Sequence, residues 1–474
     1  MKNAIANTDI MNASFKGVDN IRTIYFIGIG GIGMSAIARF FHSHGVQVSG
    51  YDKTPTALTR ELEASGISIH YDENVAAIPA QPDLVVYTPA IPAAHKELVH
   101  YQNAGVKVVK RSDVLKIITE NSFNICIAGT HGKTTITTMV AHLLRDTGFG
   151  CNAFLGGISV NYGTNFWSDP KNVCVIEADE YDRSFLKLSP DIAIVTAMDA
   201  DHLDIYGDAA SVEQAFIDFS KRVKPGGMLV KQFGLSRGSE LVASNTYTYS
   251  LQNDAADIHA ANIRLQHGGY EFDVVMKDTL LTGVRLHMGG MHNVENVLAA
   301  IAVASALGIE NEKIKAAVAS FRGVKRRFEY IVREEELVYV DDYAHHPEEL
   351  RALISGARAL FPGMKATVIF QPHLYSRTRD FADGFAEVLD MADEVVLLPI
   401  YPARELPIEG VTSEMILEKM KKAGRQVISK TDIPGFVEKE FGRASAENGQ
   451  LLITAGAGDI DTLVGPIKQK LKDA

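Results

Sequence analysis

Three stretches of the chain repeat one pattern: a short apolar run, a glycine-rich or polar turn, then apolar residues at helical spacing. The first opens with Thr23-Ile24-Tyr25-Phe26-Ile27 and runs into Gly28-Ile29-Gly30-Gly31-Ile32-Gly33. Ile37, Phe40, Phe41 and His44 then share a helical face, and Gly45 is placed to end that helix. Further strands are expected to end at Tyr51-Asp52 and to cover Leu84–Tyr87. The second stretch begins at Asn124–Ala128, enters Gly129-Thr130-His131-Gly132-Lys133-Thr134-Thr135, and continues as a helix carrying Ile136, Met139, Val140, Leu143 and Leu144 on one face. Strands Val173–Ile176 and Ile192–Thr196 each lead into an acidic cluster. From about Thr246 to Leu286 polar and apolar residues alternate around a Gly268-Gly269 turn, which predicts a small antiparallel patch. The third stretch starts near Val324, with apolar strands Leu337–Val340, Ala366–Phe370, Val395–Leu398 and Leu451–Thr454 between helical segments.

Strands alternating with helices predict an α/β fold, and 474 residues exceed what one core holds. The expected division is a leader at 1–21, a Rossmann-like domain at 22–121, a central P-loop ATPase-like α/β domain with the antiparallel patch at 122–323, and a C-terminal Rossmann-like α/β domain at 324–474. A net charge of −11 without a run of Lys or Arg argues against a nucleic-acid or anionic-membrane partner, yet leaves room for small anionic substrates. Cys126, Cys151 and Cys174 are odd in number and scattered, which suits a reducing compartment better than a disulfide framework. The first 20 residues lack a signal-type apolar core and no apolar stretch reaches membrane-spanning length, so a soluble cytoplasmic protein is expected.

The turn Gly129–Thr134 carries the strongest chemical signal. A glycine-rich link between strand and helix turns backbone N–H groups toward a phosphate chain; Lys133 would reach its terminal phosphates and the Thr134 hydroxyl a Mg²⁺ ion. The strict P-loop pattern wants a glycine where this chain has Ile127, so the turn is a variant. The clusters Glu177-Ala178-Asp179-Glu180 and Asp199-Ala200-Asp201-His202 follow strands whose ends converge on such a crevice, which nominates Glu177 and His202 with Thr134 as metal ligands. The bland alternative is a pair of solvated acidic loops. Gly28-x-Gly30-x-x-Gly33, with Asp52 beyond it, fits a dinucleotide fingerprint. That turn serves a nicotinamide cofactor or a UDP-linked substrate equally well. The third stretch contributes Arg326-Arg327-Phe328-Glu329, Asp341-Asp342-Tyr343-Ala344-His345-His346-Pro347 and Gln371–Arg379, the latter two directly after predicted strands, where functional loops gather. Of His345 and His346, one is expected to cap or pack and the other to be exposed. Arg377 and Arg379 beside His373 suit an anionic ligand, or simply begin a helix.

Taken together, Gly129–Thr135, Glu177–Glu180, Asp201-His202-Leu203-Asp204, His292–Asn296 and Arg326–Glu329 resemble the Mur ligases, in the family's order and over about residues 22 to 470. Gly28–Ser35, Asp341–Pro347 and Phe370–Arg379 look like the branch that adds L-alanine. The tripeptide-recycling branch shares Glu177–Asp182 but lacks the Gln371–Arg377 loop. The resemblance implies attack of the lactyl carboxylate of UDP-N-acetylmuramate on ATP, then capture of the acyl phosphate by L-alanine. It assigns Lys133, Glu177, His202, His373 and Arg377 to catalysis. Gly129, Thr130, His131, Gly132, Lys133, Thr134, Thr135, His292, Asn293, Arg326 and Asp342 fall to ATP. Gly28, Gly30, Gly31, Gly33, Asp52 and Arg111 fall to the UDP part, and Asn165 and Ser184 to the muramyl part. Tyr343, His345, His373 and Arg377 fall to the amino acid. One or two Mg²⁺ ions and a monomer or homodimer are expected, with the C-terminal domain closing on ligand binding. Leu374 stands where several relatives carry Arg. Phe216 stands where later Mur ligases carry a carbamylated Lys, which agrees with the alanine branch. A nicotinamide oxidoreductase or a nucleotide-driven motor would leave most of these motifs without a use, and a silent binding relative would not need Lys133, Thr134, Glu177 and His202 intact.

Overall fold

The β-branched runs of the sequence pair mostly in parallel, with helices as crossovers, and build three sheets. The structure is a computed structural model that describes residues 11, 20–181, 183–199, 203–266, 268–277, 279–403, 405–422, 424–441 and 449–473. The first sheet holds β1 (Thr23–Ile27), β2 (Gln47–Tyr51), β3 (Ser68–His70), β4 (Leu84–Tyr87) and β5 (Val108–Lys110) in the order β3-β2-β1-β4-β5, all parallel. The order reverses at β1, and the Gly28–Gly33 turn leaves β1 at that switch point. Helix Ile32–Ser43 follows, and Gly45 takes φ +78 just beyond it, as its position after the apolar face predicts.

The central sheet contains β6 (Phe123–Ala128), β7 (Asn152–Phe154), β8 (Phe166–Trp167), β9 (Val173–Glu177), β10 (Ile192–Val195), β11 (Met228–Gln232), β12 (Asn245–Ser250), β13 (Ile258–Gln266), β14 (Gly269–Met276) and β15 (Thr279–Leu286). Its order is β15-β14-β13-β12-β11-β10-β6-β9-β7-β8. The fully buried β6 lies between β9 and β10, parallel to both, so three strand ends deliver their loops to one edge. The antiparallel patch starts later than the alternation suggests. β12 pairs in parallel with β11 and with the start of β13, and only the short connections within β13–β15 require antiparallel pairing.

The third sheet holds β16 (Glu329–Arg333), β17 (Leu337–Asp342), β18 (Lys365–Phe370), β19 (Glu394–Leu397), β20 (Arg425–Val427) and β21 (Gln450–Ala455), ordered β16-β17-β21-β18-β19-β20. Five strands are parallel and β16 is an antiparallel edge, which makes this domain a mixed sheet.

The backbone divides into two compact units. One runs to Ile263 and adds Phe272–Arg285 and Val294–Phe321; the other takes Arg264–Glu271, Leu286–Asn293 and Arg322–Ala474. Within the first unit a single apolar cluster runs from the first sheet into the central one, with Phe40 of helix Ile32–Ser43 against Phe154 (ring centroids 5.2 Å) and Phe166 (6.2 Å). Burying these rings ties the two glycine-rich turns into one body, at roughly 1.5–3 kcal/mol per aromatic side chain. Among the described residues, no helix is long and apolar enough to cross a membrane.

Candidate active site

The turn after β6 is shaped by residues that have no room for side chains. Gly129 takes φ +139, and a Cβ there would overlap Thr196 Oγ1; Gly132 takes φ +77 as the residue that starts helix Lys133–Asp146. Only glycine adopts both conformations without strain. Thr196, at the end of β10, donates to the His131 carbonyl at 2.5 Å, and the Thr130 N–H donates to the Ala197 carbonyl at 3.2 Å. The neighbouring strand end therefore tethers the turn at two points. Thr135 is buried in the first helical turn, and His131 is exposed with Nε2 3.6 Å from Asp199.

Lys133 Nζ donates to the Gly129 carbonyl at 2.6 Å and to Glu180 Oε1 at 2.8 Å. Glu180 is almost fully buried, and burial pushes its carboxyl above the usual range even though Lys133 pulls the other way. Thr134 Oγ1 donates to Glu177 Oε1 at 3.1 Å. Gly156 lies against that carboxylate, where a Cβ would overlap both oxygens. A hydroxyl and a carboxylate oxygen side by side at the start of a helix are donor types that suit Mg²⁺. His202, the third expected ligand, lies outside the described residues, and among those described no group of three or more His, Cys, Asp or Glu converges.

The first turn is built on the same logic. The Gly28 and Ile29 N–H groups donate to the Tyr51 carbonyl at 2.8 and 3.0 Å, and the Gly30 N–H donates to Asp52 Oδ2 at 2.7 Å. Gly31 is open, its nearest neighbour for a Cβ being 3.7 Å away. A Cβ at Gly33 would collide with the Arg111 guanidinium, which lies over the start of helix Ile32–Ser43 and reaches Asp179 Oδ2 at 3.3 Å. Arg111 thus joins the first turn to the acidic loop after β9. Asn165 is fully buried, donating to the Ile32 carbonyl at 2.6 Å and Ser35 Oγ at 3.0 Å. It fixes the helix start from beneath. Ser184 is nearly buried and donates to the Asp179 carbonyl at 3.0 Å.

In the second unit, the Asp342 carboxylate accepts from the Phe328 N–H at 2.6 Å and the Ala344 N–H at 2.7 Å. These two bonds fasten the Arg326–Phe328 turn to the loop after β17. Arg326, at φ +59, donates to the Gly456 carbonyl and stacks 4.9 Å over Tyr343; its Nε faces Asp341 Oδ2 at 3.7 Å. Asp341 is buried, and loss of hydration raises its carboxyl to about 7 although Thr454 and Arg326 oppose the rise. The exposed His292 lies beside Gly290, and the buried Asn293 donates to the Gly289 carbonyl at 2.6 Å.

His346 begins helix Pro347–Leu360, with its N–H on Glu349 Oε2 at 3.2 Å and its ring against Phe381. That is the capping role expected of one of the pair. His345 is half-buried rather than exposed, with Nδ1 2.9 Å from the Tyr343 carbonyl, and burial lowers its pKa. Its ring lies 6.1 Å from that of His373. Arg377 Nη1 comes within 3.4 Å of His373 Nδ1, and desolvation followed by Arg377 lowers the His373 pKa. Tyr343, His345, His373 and Arg377 thus occupy one neighbourhood, with neutral imidazoles beside a cation.

Three models of one family match the sequence in order: the Mur ligase family catalytic domain at residues 23–122, the Mur ligase middle domain at 127–304, and the Mur ligase glutamate ligase domain at 326–458. The UDP-N-acetylmuramate–L-alanine ligase of Flavobacterium johnsoniae is 45% identical over 462 residues, covering 96% of this chain and 99% of its own. That of Cytophaga hutchinsonii is 47% identical over 458 residues, covering 95% and 97%. The chain belongs to the Mur ligase family. Among solved structures, the UDP-N-acetylmuramate-alanine ligase of Thermotoga maritima is 29% identical with a TM-score of 0.79, over 95% of this chain and 99% of that one. A murein peptide ligase of Psychrobacter arcticus, 23% identical with a TM-score of 0.65 over 96% and 99%, shares the fold.

In this Mur ligase, three further residues that sequence reasoning passed over hold the nominated ones. Glu180 holds Lys133, Asp179 holds Arg111, and Asn296 Oδ1 sits where a Gly132 Cβ would come within 3.0 Å. Each lies inside a motif already quoted, three residues or fewer from a nominated one, so the motif was visible and the pairing was not.

Proposed function

We propose that this chain joins L-alanine to the lactyl carboxylate of UDP-N-acetylmuramate while ATP is converted to ADP and phosphate. The observation that carries the reading is near-full-length likeness, at 45 and 47% identity, to ligases of that name. The geometry supports it: a P-loop variant and a second glycine-rich turn share one body, linked by the acidic loop after β9.

In this reading the Gly28–Gly33 turn and Arg111 hold the diphosphate of the UDP-sugar, with Asp52 keeping the turn in shape. The helix N-terminus at Gly132–Thr134 takes the phosphates of ATP. Lys133 leaves Glu180 for the γ-phosphate and offsets the charge that spreads over it in transfer. Mg²⁺, when held by Thr134 and Glu177, supplies further neutralisation of phosphate charge. A carboxylate oxygen bonds to the γ-phosphorus as the bond to ADP breaks. The neutral amine of L-alanine then bonds to the acyl carbon, and phosphate leaves with that carboxylate oxygen as the nitrogen loses a proton. Arg377 and His373 supply the cation and N–H donor for the α-carboxylate. A need for a nucleotide-linked substrate and ATP supports a cytoplasmic location.

Lactyl carboxylate labelled with ¹⁸O tests the chemistry. One labelled oxygen should appear in each phosphate released; unlabelled phosphate would rule out the acyl phosphate.

A further inference from the structure

The segment that follows β19, around Tyr401–Ile408, belongs to none of the motifs above, yet it dictates the shape of the turn that carries His373 and Arg377. The Tyr401 N–H donates to the Pro372 carbonyl at 2.9 Å and the Tyr401 carbonyl accepts from the Leu374 N–H at 2.9 Å, so Tyr401 grips both sides of His373. The Tyr401 ring stacks on the His373 ring, with centroids 5.8 Å apart and planes 13° from parallel. Gly458 leaves the space that this tyrosine fills, since a Cβ there would stand 2.7 Å from Tyr401 Cβ. Four residues on, Glu405 accepts from the Ser376 N–H at 3.0 Å and from the Ser376 hydroxyl.

Those bonds serve a need the helix cannot meet itself. Helix Tyr375–Leu389 starts from Leu374, which has no side chain able to accept from the first N–H groups. Leu374 also sits at φ +68 and ψ 136, a conformation costing an L-residue on the order of 1–3 kcal/mol unless its surroundings impose it. Glu405 supplies the missing acceptor from another loop, with its negative charge at the positive end of the helix. Ala403, at φ +49, and the Glu405 N–H on the Pro402 carbonyl at 2.9 Å bend that loop into reach. What the clamp presents is Arg377, one turn into the helix. It is half-buried, and among the described residues no carboxylate forms an ion pair with it, so its guanidinium stays available to an anion.

We infer that Glu405, together with Tyr401, is a positioning residue for amino-acid recognition: it fixes the strained His373–Arg377 turn so that His373 and Arg377 face the α-carboxylate of the incoming amino acid. This rests on the reading of that turn given under the proposed function. Glu405 touches no substrate in this account and acts through Ser376 and the turn.

The test is steady-state kinetics of the full chain with Glu405→Ala, Glu405→Gln and Ser376→Ala. Glu405→Ala should raise KM for L-alanine about tenfold or more. KM for ATP and for UDP-N-acetylmuramate should stay within about twofold and the melting temperature should hold. Glu405→Gln, which keeps an acceptor for the Ser376 N–H, should restore most of the alanine affinity, and Ser376→Ala should fall between. Should Glu405→Ala not fold, Glu405→Gln and Ser376→Ala decide alone: KM for alanine equal to wild type in both overturns the inference. So does a rise in all three KM values together. Failure of the proposed function looks different, because wild-type protein would then release no phosphate in response to L-alanine.

Discussion

Asp341 should make the stability of the third sheet depend on pH in a direction opposite to that of most carboxylates. It is buried at the end of β17, accepts from Thr454 at 2.5 Å, and has its other oxygen 3.7 Å from Arg326 Nε. Removal from water outweighs both favourable partners and raises its carboxyl from 3.8 to about 7. The folded state therefore holds a proton more tightly than the unfolded chain. Stability on this account is fullest below about pH 4, falls as pH rises toward 7, and is level above that. The whole shift is worth on the order of 4 kcal/mol, and the part between pH 5 and 8 roughly 2–3 kcal/mol. Asp341→Asn keeps an acceptor for the Thr454 hydroxyl and cannot ionise, so the variant should lack this dependence. Hydrogen exchange read by mass spectrometry on peptides covering Leu337–Asp342 and Gln450–Ala455, corrected for intrinsic rates, measures the opening of these strands. Wild-type protection should fall roughly 50- to 100-fold more than that of the variant between pH 5 and 8. Parallel losses in the two proteins would refute the argument that Asp341 titrates in that window.

Lys133→Ala should abolish turnover while the melting temperature moves little, because the ammonium serves phosphate and Glu180 tolerates a proton once its partner is gone; retained turnover would remove the P-loop variant from the mechanism. Gly156→Ala should push the Glu177 carboxylate away from Thr134 and weaken Mg²⁺ activation about tenfold or more, with KM for L-alanine unchanged; a magnesium titration that matches wild type would contradict the pairing. The three thiols are buried and burial raises each pKa, so the native protein should not react with Ellman's reagent at pH 7, and all three should react after denaturation. Rapid reaction of any one in native protein would mean that its strand opens.

How far the sequence speaks depends on how local each feature is. The turn at Gly129–Thr134 and the helix after it could be read directly because strand, glycines and helix periodicity are contiguous. The same holds for Gly28–Gly33, where Asp52 is reached through a single crossover. Pairings across the sheet were not legible. Glu180 meets Lys133 because β9 lies beside β6, and Gly156 makes room for Glu177 because β7 lies beside β9; no local pattern encodes that order. Arg111 over Gly33 depends likewise on where β5 ends relative to β1. The bond from the Asn165 amide to the Ile32 carbonyl, across 133 residues of sequence, was equally beyond a local reading. Alternation from Thr246 onward suggests an antiparallel patch, whereas β12 continues the parallel part of the central sheet, and alternation along one strand does not encode the direction of its neighbour.

The central claim is a ligase that needs three specific small molecules at once. Phosphate release from ATP, measured with UDP-N-acetylmuramate and a panel of amino acids that includes the L-alanyl tripeptide, tests it most directly. Release that requires both the UDP-sugar and L-alanine is the predicted result. Release supported by the tripeptide and not by L-alanine, or by no acceptor at all, would contradict it.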